Sequence, residues 1–287
     1  MSKDNNGAPV GLIAGNRRLP FQFAEWAKRN GRELYIAGMV GEVDKGLRDL
    51  VDGDHYREYC ITEVSRVINY FKRSGVSEVV MIGGVARARL KLTFDLVKIV
   101  SRLLFMKNRH KGVFKILLKM FDSRRVTIRA IQDLMPELLI GEGALGSVKP
   151  AEDDIAAFYK NWETILGYIR TGEGQAVIIY NGEIVAYENI KGTDDLARRA
   201  TEKRRTMGAG SGGFMAKIME PGQDERADFP VVGTGTVETL AKYGLSGVVI
   251  EAGRTIADDV ADTVALADKL GIFVYGIPKG CNVPAGM

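Results

Sequence analysis

The chain has 287 residues, 46% of them apolar and 26% charged, which suits a soluble globular protein with one large or two ordinary domains. No stretch reaches the roughly 18 uninterrupted apolar residues of a membrane span, and the opening MSKDNNGAP has no hydrophobic signal region, so a cytoplasmic, non-spanning protein is expected. Cys60 and Cys281 are the only cysteines and His55 and His110 the only histidines, which argues against a disulfide framework, a histidine-built zinc site and a Ser/His/Asp triad.

In chain order, Val10 to Ala14 (VGLIA) reads as a strand ending at Gly15, and Leu19 to Lys28 follow a helical period. Glu33 to Met39 and Glu78 to Ile82 read as further strands, with a helix over Ile61 to Arg73 between them. In a parallel sheet the loops at the carboxyl ends of strands face the ligand crevice, which places Gly15-Asn16 and Gly83-Gly84-Val85 on one edge. The first loop, GLIAGNRRLP, is not GxGxxG and no acid is placed to read a ribose, so no nicotinamide cofactor is read from it. Plain turn glycines explain the loop about as well.

The charge is unevenly spread. Residues 87–125 hold twelve Lys/Arg against two acids, a net +10, which leaves −6 for the remainder of a chain whose total is +4. Apolar residues interleave with these cations, predicting two cationic amphipathic helices broken near Asn108 to Gly112. Such helices can lie on an anionic membrane surface or present a solvated basic face. Nucleic acid is disfavoured, because aromatic residues are not interleaved for base stacking and the rest of the chain is acidic.

Val126 to Ile131 reads as a strand, and the glycine-rich stretch 141–146 ahead of Pro150 as the domain boundary, giving domains 1–148 and 149–287. Ala151 to Arg170 reads as one helix with acids in its first turn. Ala176 to Tyr180 and Glu183 to Tyr187 flank Asn181-Gly182, a strong hairpin signal. Thr193 or Asp194 is placed to cap a helix over Asp195 to Lys203. Strands over Gly213 to Met219, from Pro230, over Gly247 to Glu251 and over Ile272 to Gly276 alternate with helices over Gly235 to Lys242 and Asp258 to Leu270, a second α/β domain.

Between two of those strands lies KIMEPGQDERADFP, Lys217 to Pro230, which packs a lysine, an arginine, an amide and several carboxylates onto one connector. Carboxylates bind a hard cation through oxygen, while the cation and the bases neutralise phosphate charge. A solvated turn is the plainer account of such a loop.

Taken together, GLIAGNRRLP, GTDDLARR and AKIMEPGQDERADFPVVGTGTVETLAKYGLSGVVIEAGRTI resemble the UDP-2,3-diacylglucosamine pyrophosphatase family of the LpxI type, over most of residues 10 to 278. The resemblance implies an α/β enzyme of two domains, an N-terminal Rossmann-like parallel-sheet domain and a C-terminal α/β domain, with the site in the cleft between them. It implies hydrolysis of UDP-2,3-diacylglucosamine to UMP and 2,3-diacylglucosamine 1-phosphate with Mg²⁺ or another divalent cation. The family's essential aspartate maps onto Asp228. Asp224, Lys217 and Arg226 join it as catalytic positions, with Asp228 and Asp224 as metal ligands. Gly15, Asn16, Gly84, Val85, Thr193, Asp194 and Gln223 match ligand-binding positions. Attachment to the inner face of the inner membrane and a homodimer are further expectations.

Two departures stand out. Asn16, Arg17 and Arg18 replace three small residues, and Val113-Phe114 after Lys111-Gly112 replace a pair of acids. Loss of those acids opens the alternative of a non-catalytic nucleotide-sugar or lipid binder.

Overall fold

The computed structural model describes residues 7–83, 109–208, 210–226 and 229–280. The chain divides into two compact units, the first made of residues 1–135 with 225–227 and the second of the rest.

The first unit is built from β1 (Val10–Ala14), α1 (Leu19–Arg29), β2 (Leu34–Met39), β3 (Tyr56–Tyr59), α2 (Val64–Arg73), β4 (Glu78–Ile82), α3 (Arg109–Asp122), β5 (Thr127–Arg129) and the short α4 (Ile131–Leu134). Its strands form one parallel sheet in the order β3-β2-β1-β4-β5, the order of a doubly wound fold. All five residues of β1 are buried, which is why VGLIA carries no polar alternation: a central parallel strand is covered on both faces. In α2 the residues Val64, Val67, Ile68 and Phe71 repeat at helical spacing and are buried with Ile13, Ala37, Val79 and Ile128 of the sheet and Ile116, Leu118 and Phe121 of α3. Each such side chain contributes about 1.5–3 kcal/mol on full burial. Helix α1 packs on β1 and β2, with Phe23, Ala24 and Ala27 buried.

The second unit holds β6 (Gly143–Ala144), α5 (Glu152–Lys160), α6 (Trp162–Ile169), β7 (Ala176–Tyr180), β8 (Glu183–Tyr187), α7 (Thr193–Thr206), β9 (Phe214–Lys217), β10 (Val231–Val232), α8 (Thr234–Lys242), β11 (Gly247–Glu251), β12 (Ile256–Ala257), α9 (Val260–Leu270) and β13 (Phe273–Ile277). Six strands make a mixed sheet, β6-β13-β11-β9-β7-β8, and β10 pairs with β12 in a small parallel ribbon. Alternate residues serve opposite faces. Ile178, Met215, Val248 and Ile250 pack with α7, α8 and α9, whereas Val177, Ile179, Phe214, Ala216 and Val249 pack with α5 and α6. This is a three-layer sandwich with two cores. The hairpin of β7 and β8 turns at Asn181 (φ 49°) and Gly182 (φ 77°), the left-handed pair that a two-residue turn requires.

Two local expectations change. The segment expected as one helix over 151–170 is two helices, because the Asn161 side chain donates to both Ala157 O at 2.8 Å and Gly182 O at 2.9 Å and binds the chain to the hairpin turn. Helix α3 begins at Arg109 and runs through Gly112, and the residues before it, on the other side of the expected break, lie outside the described residues. The N-cap of α7 is Gly192, with φ 81°, and Thr193 is the first helical residue. The remaining part of the basic segment, 87–108, lies outside the described residues, as does Cys281, while Cys60 is a buried free thiol. Among the described residues no helix is long and apolar enough to cross a membrane.

Candidate functional site

In the first unit the sheet order reverses between β1 and β4, and the chain bends away from their carboxyl ends at Gly15 and Gly83. Gly15 N donates to Ile82 O at 2.8 Å. Gly83 has φ 99°, and a Cβ there would come within 2.6 Å of Asn16 O and 2.8 Å of Gly15 C. The two loops touch backbone to backbone, as close as glycine alone permits. Asn16 Nδ2 donates to Glu42 Oε2 at 2.6 Å, and its own Oδ1 is shielded from solvent with no hydrogen-bond partner among the described residues. Buried side-chain acceptors are ordinarily satisfied, so this one stands out at the switch point of the sheet.

Arg17, at φ 80°, and Arg18 are exposed at the start of α1, whose first turn contains no acid. Two cations at a helix amino end favour an anionic group there. The two loops expected on one edge do meet there, at Gly15, Asn16 and Gly83. Gly84 and Val85 lie outside the described residues. Glu42 was not read from the sequence: it follows β2 on the same carboxyl edge, and a Gly-Glu pair after a strand is too common to single out.

The second unit gathers a larger set. β8 and β9 both run antiparallel to β7, while β9, β11 and β13 are parallel, so four carboxyl ends finish on one edge. In register, Lys217 pairs with Ala176 on one side and Ile250 on the other, and Ile250 with Gly276. From this edge leave the loop after β8 with Glu188, the 218–230 connector after β9, Glu251 at the end of β11, and residues 278–280 after β13.

On that edge Thr193 Oγ1 donates to Glu188 Oε1 at 2.9 Å, and Glu188 Oε2 accepts from Gln175 N at 2.9 Å. Thr193 thus serves Glu188 instead of capping α7. Asp194 Oδ1 accepts from Thr239 Oγ1 of α8 at 2.6 Å, which ties two helix surfaces together. The next residue, Asp195, accepts from Arg198 at 2.6 Å and Arg199 at 2.7 Å, and these two guanidiniums hold its carboxyl down to about 2. Lys217 Nζ donates to Val231 O at 2.8 Å, joining the two ends of the connector.

Glu220 and Glu251 are carboxylates at 6% and 2% exposure, deep for their type. Glu251 is held by Arg254 Nη1 at 3.3 Å and by Gly280 N at 3.0 Å. The sequence reading took Glu220 only as one of the connector's several carboxylates and did not single out Glu251. Gln223, Asp224 and Arg226 are half-buried on the connector. Asp228, the expected essential carboxylate, lies outside the described residues.

No three His, Cys, Asp or Glu side chains group as cation ligands among the described residues. In donor chemistry the connector suits a hard divalent cation, because its candidate ligands, Asp224 and Asp228, are carboxylates.

Residues 9–138 match the LpxI N-terminal domain family and residues 141–275 the LpxI C-terminal domain family. The chain is also similar to the UDP-2,3-diacylglucosamine pyrophosphatase LpxI of Caulobacter vibrioides, 28% identical over 277 residues that cover 93% of this chain and 97% of that protein.

Proposed function

Because the chain belongs to the LpxI family, we propose that it hydrolyses the pyrophosphate of UDP-2,3-diacylglucosamine, giving UMP and 2,3-diacylglucosamine 1-phosphate in lipid A biosynthesis. The observation that carries this reading is the carboxyl edge of the second sheet, where Lys217 holds a connector rich in carboxylate, amide and guanidinium groups beside buried Glu220 and Glu251.

On this reading Gly15 and Asn16, with Gly84 and Val85, receive the nucleotide-sugar. Thr193, Asp194 and Gln223 receive its polar groups. Lys217 and Arg226 face the phosphoryl oxygens and stabilise the negative charge that grows on them. The Lys217 ammonium gives one of its three donors to Val231 O at 2.8 Å, which fixes its charge at the edge of the sheet. Asp228 and Asp224 are the carboxylates we assign to a divalent cation such as Mg²⁺, which when bound supplies Lewis-acid neutralisation of the pyrophosphate. The basic segment 87–125 is the part of the chain suited to an anionic membrane surface, with a cytoplasmic location and a homodimer as the accompanying arrangement.

Incubation with UDP-2,3-diacylglucosamine, with and without Mg²⁺, tests the reading by UMP release. We expect metal-dependent UMP, abolished by Asp228→Ala with the fold intact. Substrate retained without UMP would replace hydrolysis by the binder reading, which the apolar pair Val113-Phe114 favours. UMP release undiminished in D228A would remove Asp228 from the mechanism.

A further inference from the structure

A second feature of the first unit has no part in the proposed hydrolysis. Beside β3, the edge strand of the parallel sheet, and against α2 lies a cavity of about 530 Å³ lined by Arg57, Arg66 and Arg73, with Tyr59, Tyr70 and Asn69 among its walls. Its volume falls within the roughly 300–1,000 Å³ usual for small-molecule sites. Gly15, Asn16, Glu42 and Gly83 take no part in its lining.

The charges in it do not balance. One acid, Asp54, lines the cavity against three arginines, and it accepts from Arg57 Nη2 at 3.1 Å. Arg66 pairs with Glu63, and Arg73 has no ion pair among the described residues. Two of the guanidiniums are also held in place. Arg57 Nη1 donates to Gly53 O and Tyr56 O, each at 3.0 Å, and the Arg66 guanidinium lies 5.9 Å from the centroid of the Tyr59 ring. A fourth cation, Arg124, reaches the Asn69 side chain at 3.4 Å. Burial raises the Tyr59 and Tyr70 phenols above their ordinary value, so both remain protonated near neutral pH.

Planar guanidiniums oriented by backbone carbonyls and an aromatic ring match phosphate oxygens in fork geometry. We propose that this cavity binds a phosphate group, presented either by a soluble phosphorylated molecule or by the headgroup of an anionic phospholipid.

The test uses the full-length protein and two probes. Inorganic phosphate is titrated calorimetrically, and phosphatidylcholine vesicles with and without phosphatidic acid are used in co-sedimentation. The double variant Arg57→Gln/Arg73→Gln and the single variant Arg73→Gln, whose residue is exposed, are compared with the parent. We expect the parent to bind in at least one arm. There the double variant should weaken binding at least about tenfold and the single variant in the same direction, with UMP release unchanged. A response to phosphate alone identifies a soluble ligand; one to phosphatidic acid vesicles alone identifies a lipid surface. Absence of binding in both arms, or equal binding by parent and variants, overturns the proposal.

Discussion

The Lys217 ammonium donates to the carbonyl oxygen of Val231 at 2.8 Å, so one side chain at the end of β9 holds both ends of the 218–230 connector. A hydrogen bond from a charged donor is worth about 1.5–3 kcal/mol, roughly ten- to a hundredfold in a rate that depends on it. Lys217→Met keeps the stem and removes the donor. We expect kcat for UMP release to fall by that factor while the circular dichroism spectrum stays unchanged, and a K217M enzyme with the parent's kcat would detach the residue from the reaction.

Gly83 adopts φ 99° with its α-carbon against the Gly15-Asn16 backbone, so Gly83→Ala meets both a strained backbone and a contact at 2.6 Å with Asn16 O. Backbone cannot swing aside as a side-chain tip can. The expected loss is about 2–4 kcal/mol in urea unfolding, and a midpoint equal to the parent's would show that the two loops are not in contact.

Arg204 is 1% exposed, and its guanidinium donates to the carbonyl oxygens of Gly212, of Gly244 at 3.1 Å and of Tyr243 at 2.5 Å. Tyr243 is the C-cap of α8, where the helix dipole favours a cation. Arg204→Met fills similar space but takes the guanidinium from Gly212 O and leaves Gly244 O and Tyr243 O with one donor each, Gly212 N and Thr201 Oγ1. A stability loss of about 3 kcal/mol in guanidinium chloride is the expectation, and a loss under about 0.5 kcal/mol would mean that water replaces the guanidinium freely.

Asp195 titrates near 2 because Arg198 and Arg199 donate to it. Its folded value lies below the roughly 3.9 of an unfolded aspartate, so its contribution to stability is fully present above about pH 4 and is lost as the pH falls through 2. Side-chain carbonyl NMR should place the midpoint near 2 in the folded protein. Replacing both arginines with glutamine should raise it, and a parent midpoint near 4 would contradict the pairing.

Much of the fold is legible from local pattern. The unbroken apolar runs VGLIA and GVVIE announce buried parallel strands, since a strand covered on both faces has no solvent side to mark with polar residues. Asn181-Gly182 announces its own turn through a left-handed requirement that few other pairs meet. The division of Ala151 to Arg170 at Asn161 is not legible, because the cause is a carbonyl of Gly182, some twenty residues away in the chain. The cap of α7 was misplaced for a similar reason: Thr193 is a good capping residue locally, but Glu188 takes its hydroxyl.

The site shows the same divide. The residue types of the connector and the glycines of the first loop are properties of short segments, and they identify a family and a chemistry before any folding. Glu42, Glu220 and Glu251 gained their standing only when strands distant in sequence were laid side by side and their carboxyl ends aligned. The same holds for the arginines of the edge cavity, which come from β3 and α2. Residue type and local spacing are written into the chain, whereas burial, convergence and the loss of solvent around a charge arise from long-range packing, which sequence neighbours do not encode.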